Sequence, residues 1–286
     1  MGPRVSAPQA DSIYIANFTE TEAKRLPFTH SQPIKTTRLP FPTWKYGDGV
    51  PDYPTKAAVT SQSKTTHHEI DPYAASREKI SNYRLLISGI APRPIGFVST
   101  LSRNGESENL APFIYFQVID HDPPMFILGF SARPGREKDT LVKLKDTGEY
   151  AINTVSENMI KAMNASSMDA PFGVSEWDIS GLTKAPSKTV RPARVAESVF
   201  SIKGKVLEMK DFKAHSEGMS VGGVVLIKAR LSHIDLEKLR PVAQLGGIGY
   251  GRITEVFERP RTRWVDEVGK SEKLQELERK NGLGKS

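Results

Sequence analysis

Residues 85–130 read LLISGIAPRPIGFVSTLSRNGESENLAPFIYFQVIDHDPPMFILGF, and this stretch decides the fold. It contains short apolar runs separated by residues that break helices, a pattern typical of β-strands. Asn104-Gly105 lies between two of these runs and is a common β-hairpin turn. The runs predict strands at Leu85–Ile90, Ile95–Leu101, Phe113–Ile119 and Met125–Phe130.

Downstream residues continue the same pattern after one helix. The helix is predicted from about Glu137 to Lys145, and it ends at Asp146-Thr147-Gly148 because glycine is favoured just beyond a helix end. Closely spaced strands with few helices favour an antiparallel barrel over a doubly wound sheet. The later predictions are strands at Tyr150–Val155, Ser198–Met209 and Val221–Ile234 and a short helix at Ser156–Met163.

Composition divides the chain into three segments. Residues 1–78 contain nine of the 20 prolines together with scattered aromatic residues, so we interpret them as an irregular arm that packs on the main body or on a second subunit. The alternative is a disordered tail. Residues 79–257 form the main domain. Residues 258–286 form a helical tail, with a helix over Ser271–Asn281.

Composition also excludes several classes of protein. The 286 residues include no cysteine, which rules out disulfide scaffolds, thiolate zinc sites and cysteine nucleophiles. No apolar run reaches the ~20 residues of a membrane span, and the first residues lack the apolar segment of a secretory signal. We therefore expect a cytoplasmic protein without membrane contact.

The net charge of +7 is spread along the chain. A nucleic-acid module would concentrate its cations on one face, so this reading is disfavoured. Gly246-Gly247-Ile248-Gly249 has no dinucleotide-binding register, and the pair His67-His68 has no partner motif for a metal. We predict no metal site.

The segment from Ser131 to Thr140 is the strongest candidate for an anion site. It places Arg133, Arg136 and Lys138 beside two hydroxyls, around a glycine-containing turn that opens a helix. Helix starts bind anions through unpaired N–H groups, and a phosphate monoester is the natural ligand. The alternative is an N-capped helix with solvated basic residues.

Two upstream segments add polar groups of a different kind. Arg93 lies between two prolines, and its strand ends with the hydroxyls of Ser99 and Thr100. After the hairpin, Asn109 offers an amide, and the small Ala111 would let a flat ring approach the backbone. In the alternative interpretation, Arg93 is a surface charge and Asn109 closes a turn.

Taken together, these segments resemble the flavin reductase-like family of FMN-binding split barrels. The resemblance covers roughly residues 80–255 and implies a mainly β fold, a six-stranded Greek-key barrel, a homodimer and FMN near the dimer interface. The matching segments are PRPIGFVST, NLAPF, DPPMFILGFS, the helix start KDT, TGEYAINTVSE and PVAQLGGIGY.

The resemblance also implies a role for individual residues. Residues in contact with the flavin or its phosphate tail would be Arg93, Ser99 and Thr100. Those along the edge of the isoalloxazine ring would be Asn109, Leu110 and Ala111. The phosphate would be surrounded by Ser131, Arg133, Lys138, Asp139 and Thr140.

The implied activity is that of a reductase. NAD(P)H would donate hydride to FMN, and the reduced flavin would pass electrons to an oxygenase partner or another acceptor. No catalytic side chain is predicted, because N5 of the flavin carries the chemistry. The main alternative is a non-catalytic FMN-binding or electron-transfer protein.

Overall fold

The computed structural model describes ten stretches of the chain: 18–29, 33–38, 41–49, 69–132, 137–168, 175–213, 220–230, 239–246, 249–256 and 267–280. The chain divides into two compact units. The first comprises Met1–Ser31 and Glu78–Ile253, and the second comprises Gln32–Arg77 and Thr254–Ser286. The division into three segments at 78/79 and 257/258 stays a prediction. None of the described helices is long and apolar enough to cross a lipid bilayer.

The described elements are as follows. The strands are β1 Lys35–Thr36, β2 Gly96–Leu101, β3 Glu108–Phe113, β4 Phe116–His121, β5 Pro124–Ala132, β6 Glu149–Asn153, β7 Lys184–Ala185, β8 Arg194–Val195, β9 Ser201–Lys213, β10 Ser220–Arg230, β11 Val242–Gly246, β12 Gly249–Arg252 and β13 Glu255–Val256. The helices are α1 Phe18–Ala23, α2 Lys79–Gly89, α3 Asp139–Thr147, α4 Ile160–Ala165, α5 Glu176–Ser180 and α6 Glu272–Lys280, with 3₁₀ turns at Glu157–Met159 and Val268–Lys270.

One antiparallel sheet dominates the first unit. Its seven strands are ordered β3-β2-β6-β9-β10-β5-β4, and its two end strands are joined by only Ile114 and Tyr115. In a flat sheet those ends would lie ~29 Å apart at ~4.8 Å per strand. Two linking residues reach only ~10 Å. The sheet is therefore strongly curved, and the rings of Phe113 and Phe130 meet with their centroids 4.8 Å apart.

Strand alternation builds a hydrophobic cluster on each face of this sheet. Successive strand residues point to opposite faces, so Val98 enters one cluster and Phe97 the other. Val98 packs with residues of α3, including Leu141 and Leu144. The cluster around Phe97 includes Met163 of α4 and the α5 residue Trp177. Helix α3 thus covers one face of β2, and α4 and α5 cover the other.

The mainly β architecture with few helices is confirmed, but the main sheet has seven strands where the resemblance implied six. The predicted strand Leu85–Ile90 is wrong: these residues form the end of α2 and the turn after it. A short apolar run does not distinguish a strand from a helix by periodicity. The helix predicted near Glu137–Lys145 is α3. Gly148 ends this helix with a left-handed φ of 67°, and its backbone N–H donates to the Leu144 carbonyl.

Other predictions are confirmed with shifted limits. Ser156–Met163 contains the first 3₁₀ turn and the start of α4, and the helix predicted in the tail is α6. In the second unit, β1 pairs in parallel with β13. Two arm residues contact the first unit's own strand β12: the Arg252 guanidinium lies 4.6 Å from the Phe28 ring centroid and donates to the Thr29 carbonyl at 2.9 Å.

Candidate functional site

The start of helix α3 carries no side-chain cap within the described residues. Lys138 is the residue before the first helical turn, and no described side chain caps the helix there. Its carbonyl accepts from the Val142 N–H at 3.0 Å, so the helical ladder begins at this point. The first N–H groups of a helix have no partner within the helix, and they attract anions. Lys138 and Asp139 are both exposed to solvent beside these groups.

Three buried polar side chains lie at the start of this helix. Thr140, in the first turn, accepts a hydrogen bond of 2.7 Å from the Asn109 side-chain amide. Asn109 in turn stands directly opposite Thr100 in the β2–β3 pairing. Cross-strand partners share a sheet face, which is the face that carries Val98 and α3. Thr100, Asn109 and Thr140 are therefore buried polar side chains next to an apolar core. We call these three residues the polar cluster.

Thr100 is the most informative member of the polar cluster. The residue is 1% exposed, and its Oγ1 atom has no hydrogen-bond partner in the described part of the chain. Leaving a buried hydroxyl without a partner costs about 1–3 kcal/mol. The open hydroxyl close to an uncapped helix start fits a ligand oxygen at this place.

Two predicted site residues turn away from the polar cluster. Ser99 donates through Oγ to the Ala151 carbonyl at 3.4 Å and to the Ala193 carbonyl. Leu110 is fully buried in the cluster around Phe97. Both follow from strand alternation, since neighbours of Thr100 and Asn109 point to the opposite face. Only the backbones of Ser99 and Leu110 can take part in the site.

Strand β3 offers a backbone surface beside the polar cluster. It forms one end of the main sheet, so alternate N–H and C=O groups on its outer edge face away from β2. Ala111 lies two residues after Asn109, on the same face, opposite Val98. Its methyl side chain leaves room for a flat ring to approach these backbone groups.

Two other predicted phosphate contacts, Ser131 and Arg133, are not placed at the start of α3 by the described residues. Ser131 lies near the end of β5, exposed, with its backbone paired to Val221 of β10. Arg133 falls outside the described residues, as does Arg136. Of the predicted phosphate residues, the structure thus brings Lys138, Asp139 and Thr140 together at the start of α3.

Arg93 lies at the other end of β2 from Thr100. It precedes β2 by three residues, and β2 itself spans ~17 Å at ~3.3 Å per residue. Its backbone is fixed by two hydrogen bonds with Gln244 of β11, of 3.0 and 3.1 Å. Its Nη1 atom donates to the carbonyls of Ile87 and Ile90 at the end of α2. The guanidinium is only 6% exposed, yet Nε and Nη2 have no partner among the described residues.

Tyr115 and Gln244 are neighbours of Arg93 that sequence reasoning missed. Burial and nearby Tyr83 raise the pKa of Tyr115, while the Arg93 guanidinium acts in the lowering direction. Gln244 lies within PVAQLGGIGY, one of the segments that carry the resemblance, and Tyr115 lies in the aromatic run Phe113–Phe116. The matching segment around Gln244 and the aromatic run around Tyr115 are the sequence signals that could have identified these two residues.

Two relatives of the chain match about two thirds of its length. An uncharacterized protein of Halalkalibacterium halodurans is 34% identical over 206 residues, which is 68% of this chain and 96% of that protein. An uncharacterized protein of Aquifex aeolicus is 34% identical over 175 residues, covering 59% of this chain and 88% of that protein. Their alignment lengths leave a large part of this chain without a counterpart.

Solved structures show the same fold. Nitrilotriacetate monooxygenase component B from Bacillus cereus superposes with a TM-score of 0.62 at 23% identity, over 68% of this chain and 100% of that chain. The 2-nitrobenzoate 2-nitroreductase of Pseudomonas fluorescens gives a TM-score of 0.54 at 26% identity, over 68% and 95%. A protein with a split barrel domain from Shewanella frigidimarina gives a TM-score of 0.57 at 19% identity, over 68% and 100%.

A family model described as "flavin reductase like domain" matches residues 88–238, more than half of the chain. The matched range contains β2 to β10, the polar cluster, the start of α3 and Arg93. With the fold, the relatives and this match in agreement, the chain belongs to the flavin reductase-like domain family.

Proposed function

We propose that this protein is an FMN-dependent oxidoreductase that takes hydride from NAD(P)H and passes electrons to an acceptor. Family membership supports a flavin-linked oxidoreductase. The observation that carries the FMN assignment is the uncapped start of α3 beside Thr100, whose buried hydroxyl has no partner in the described structure. A phosphate oxygen would satisfy both the hydroxyl and the free helical N–H groups.

The residues around the start of α3 fit a phosphate monoester. Lys138 supplies a positive charge, and its exposure leaves the ammonium free to approach a bound anion. For Asp139 we assign only the backbone N–H as a contact, because a carboxylate repels phosphate. Thr140 is held in place by Asn109, so the first turn of α3 stays aligned with β3. The phosphate would therefore be bound by preformed donors.

The ring of the flavin would lie along β3, past Ala111. When bound, FMN supplies an N5 atom that accepts hydride without a protein nucleophile. The protein binds the phosphate at one end, orients the ring against the outer edge of β3 and keeps its position fixed through the rigid sheet. The competing function, FMN binding without nicotinamide turnover, uses the same residues.

A homodimer is part of the proposal. Strand β4 is the other end of the main sheet, and its Val118 and Ile119 side chains are 52% and 48% exposed. Helix α2 adds the exposed Leu86 and Ile90. A free sheet edge with apolar side chains favours pairing with another chain. We propose that a second copy covers this surface and that the curved sheet forms the split Greek-key barrel that the resemblance implied, with the outer edges of β3 and β4 not paired to each other.

The names of two similar proteins support the proposed class of acceptor. The Pseudomonas fluorescens protein, 26% identical, is named as a nitroreductase of 2-nitrobenzoate, and the Bacillus cereus protein is named as a monooxygenase component. We propose either an oxygenase partner or a small organic acceptor for this chain.

Stopped-flow reduction tests the activity. FMN-loaded protein is mixed anaerobically with NADH or with NADPH, and flavin absorbance is followed. We expect one of the two to reduce the flavin at a rate of ~1 s⁻¹ or faster, which is typical of enzymes. A flavin that stays oxidised for minutes with both nucleotides contradicts the reductase and favours the non-catalytic electron-transfer protein.

A further inference from the structure

The buried guanidinium of Arg93 presents an unused pair of donors. Nη1 is occupied by two carbonyl oxygens at the end of α2, which explains why one edge of the guanidinium is buried. Nε and Nη2 form another edge, and neither has a partner within the described stretches. A role as a cap for α2 accounts for Nη1 alone. It leaves the charge and the remaining donors of a 6% exposed side chain unexplained.

This pair of donors is separate from the proposed phosphate site. Thr100 and Asn109 mark one end of the β2–β3 pair, whereas Gly96 and Phe113 mark the other end, next to Arg93. The backbone hydrogen bonds to Gln244 hold Arg93 at that far end. A flavin bound with its phosphate at α3 and its ring past Ala111 would direct its ring, and not its phosphate, toward Arg93.

We infer that Nε and Nη2 of Arg93 bind the carboxylate of an organic acid at the far end of the β2–β3 pair. Two adjacent guanidinium N–H donors match the two oxygens of a carboxylate in one plane. One buried cation also balances one carboxylate charge, whereas a phosphate dianion would retain an uncompensated charge. The inference rests on the proposed function, since the acid is then a substrate or acceptor placed at the ring end of the flavin.

Tyr115, which interacts with Arg93, and its neighbour Tyr83 favour an acid with an aromatic or other flat body. Tyr83 and Tyr115 are each partly exposed, and both lie close enough to act on each other electrostatically. Burial holds the pKa of the Tyr115 hydroxyl above its ordinary value, so this hydroxyl stays protonated at neutral pH and remains a donor. Their rings offer a surface against which a planar ligand packs.

The test uses benzoate as the probe and benzamide as a neutral compound of the same shape. Isothermal titration calorimetry of the full-length, FMN-saturated protein measures both dissociation constants. We expect benzoate to bind at least ~10-fold more tightly, because hydrogen bonds between charged groups are roughly twice as strong as neutral ones. Equal affinities, or no binding of benzoate up to ~50 mM, a concentration far above the Kd of a specific site, overturn the inference.

Two variants locate the bound carboxylate. Arg93→Lys keeps the charge and can still donate to the α2 carbonyls, but it has no second pair of coplanar N–H donors. Arg93→Met removes the charge and all of the N–H donors. We expect each variant, titrated at saturating FMN, to lose the ~10-fold preference for benzoate over benzamide. A preference that survives in Arg93→Lys and Arg93→Met places the carboxylate elsewhere and overturns the inference.

The outcome stays decisive if the variants do not fold. A crystal structure of the parent protein with benzoate then decides, since a carboxylate on Nε and Nη2 supports the inference and any other position rejects it. Failure of the proposed function is separable as well. The benzoate titration can be repeated without flavin, so a parent that binds benzoate but not FMN ends the FMN proposal and leaves the carboxylate site standing.

Discussion

The side-chain amide of Asn109 donates a 2.7 Å hydrogen bond to the hydroxyl of Thr140, which joins strand β3 to the first turn of α3. Both residues are buried, so this bond is screened from water. It aligns the free N–H groups of the helix with the strand that we propose for the flavin ring. The two halves of the site are therefore linked by one polar contact.

Thr140→Val tests this contact. The variant keeps the shape but removes the acceptor, and the Asn109 amide is left buried without it. We expect the free energy of unfolding in urea to fall by about 1–3 kcal/mol. We also expect FMN to bind several-fold more weakly, because the helix start loses its alignment. Thr140→Ser is the matched control and should retain parental stability within ~1 kcal/mol, since its hydroxyl preserves the bond. Parental stability in Thr140→Val would show that the bond contributes nothing.

Gly129→Ala tests the packing of the link between β3 and β4. A Cβ atom at residue 129 would lie 2.9 Å from Cβ of Tyr115, while the Gly129 N–H already donates to the Tyr115 carbonyl at 2.7 Å. The link must shift, and we expect a loss of about 1–3 kcal/mol in urea unfolding. Gly89→Ala is the control, because nothing lies within 4 Å of its added Cβ in α2. That change should leave stability unchanged or raise it by up to ~1 kcal/mol. Equal effects of the two substitutions would contradict the described packing.

Glu149 gives the fold a defined response to acid. Burial acts to raise the pKa of this carboxyl, but hydrogen bonds from Arg191 and the charge of Lys205 outweigh it and hold the pKa below its ordinary value of 4.5. A carboxylate with a lowered pKa stabilises the fold above its unfolded-state pKa. That stability is lost as the pH falls below 4.5 and through the folded-state pKa.

Glu149→Gln removes this titration. Urea unfolding of the parent and of Glu149→Gln is compared at pH 7 and at pH 3. We expect the parent to be more stable at pH 7, and we expect the difference between the two proteins to shrink at pH 3. A difference that stays constant between the two pH values would show that the Glu149 carboxylate is not coupled to folding.

Val118→Lys tests the proposed dimer surface on the sheet edge β4. Val118 is exposed there, so the lysine costs the monomer little. Within an apolar interface the buried charge would be costly, and we expect sedimentation to change from about twice the 31.7 kDa of one chain to a monomer. Val199→Lys, at another exposed valine, is the control and should remain dimeric. A parent that sediments as a monomer rejects the surface assignment.

Local signals made part of this architecture predictable. Helix α3 and its stop at Gly148 follow from residues adjacent in sequence, and so does the helix start that we propose as an anion site. The bond between Asn109 and Thr140 joins residues 31 positions apart, and no local pattern reports such a contact. Pairing of β2 with β6 and of β6 with β9 is equally non-local.

Strand alternation limits which of the predicted contacts can involve side chains, and the contacts themselves stay predictions. Ser99 and Thr100 are neighbours in β2, so their side chains cannot both face one ligand. The same rule separates Leu110 from Asn109 and Ala111. Helix α2 was missed for another reason: its exposed Leu85, Leu86 and Ile90 make an apolar run that looks like a buried strand.

The comparison of FMN with riboflavin tests the central claim most directly. Riboflavin lacks the phosphate, so fluorescence titration of the parent should give a dissociation constant for FMN at least ~10-fold lower than for riboflavin. Lys138→Ala should raise the constant for FMN by ~10-fold and leave riboflavin nearly unchanged. Lys161→Ala, at an exposed lysine of α4 on the opposite face of β2, removes the same charge and should change neither constant appreciably. Equal affinities of the parent for the two flavins, or equal losses for both in Lys138→Ala, would contradict a phosphate site at the start of α3.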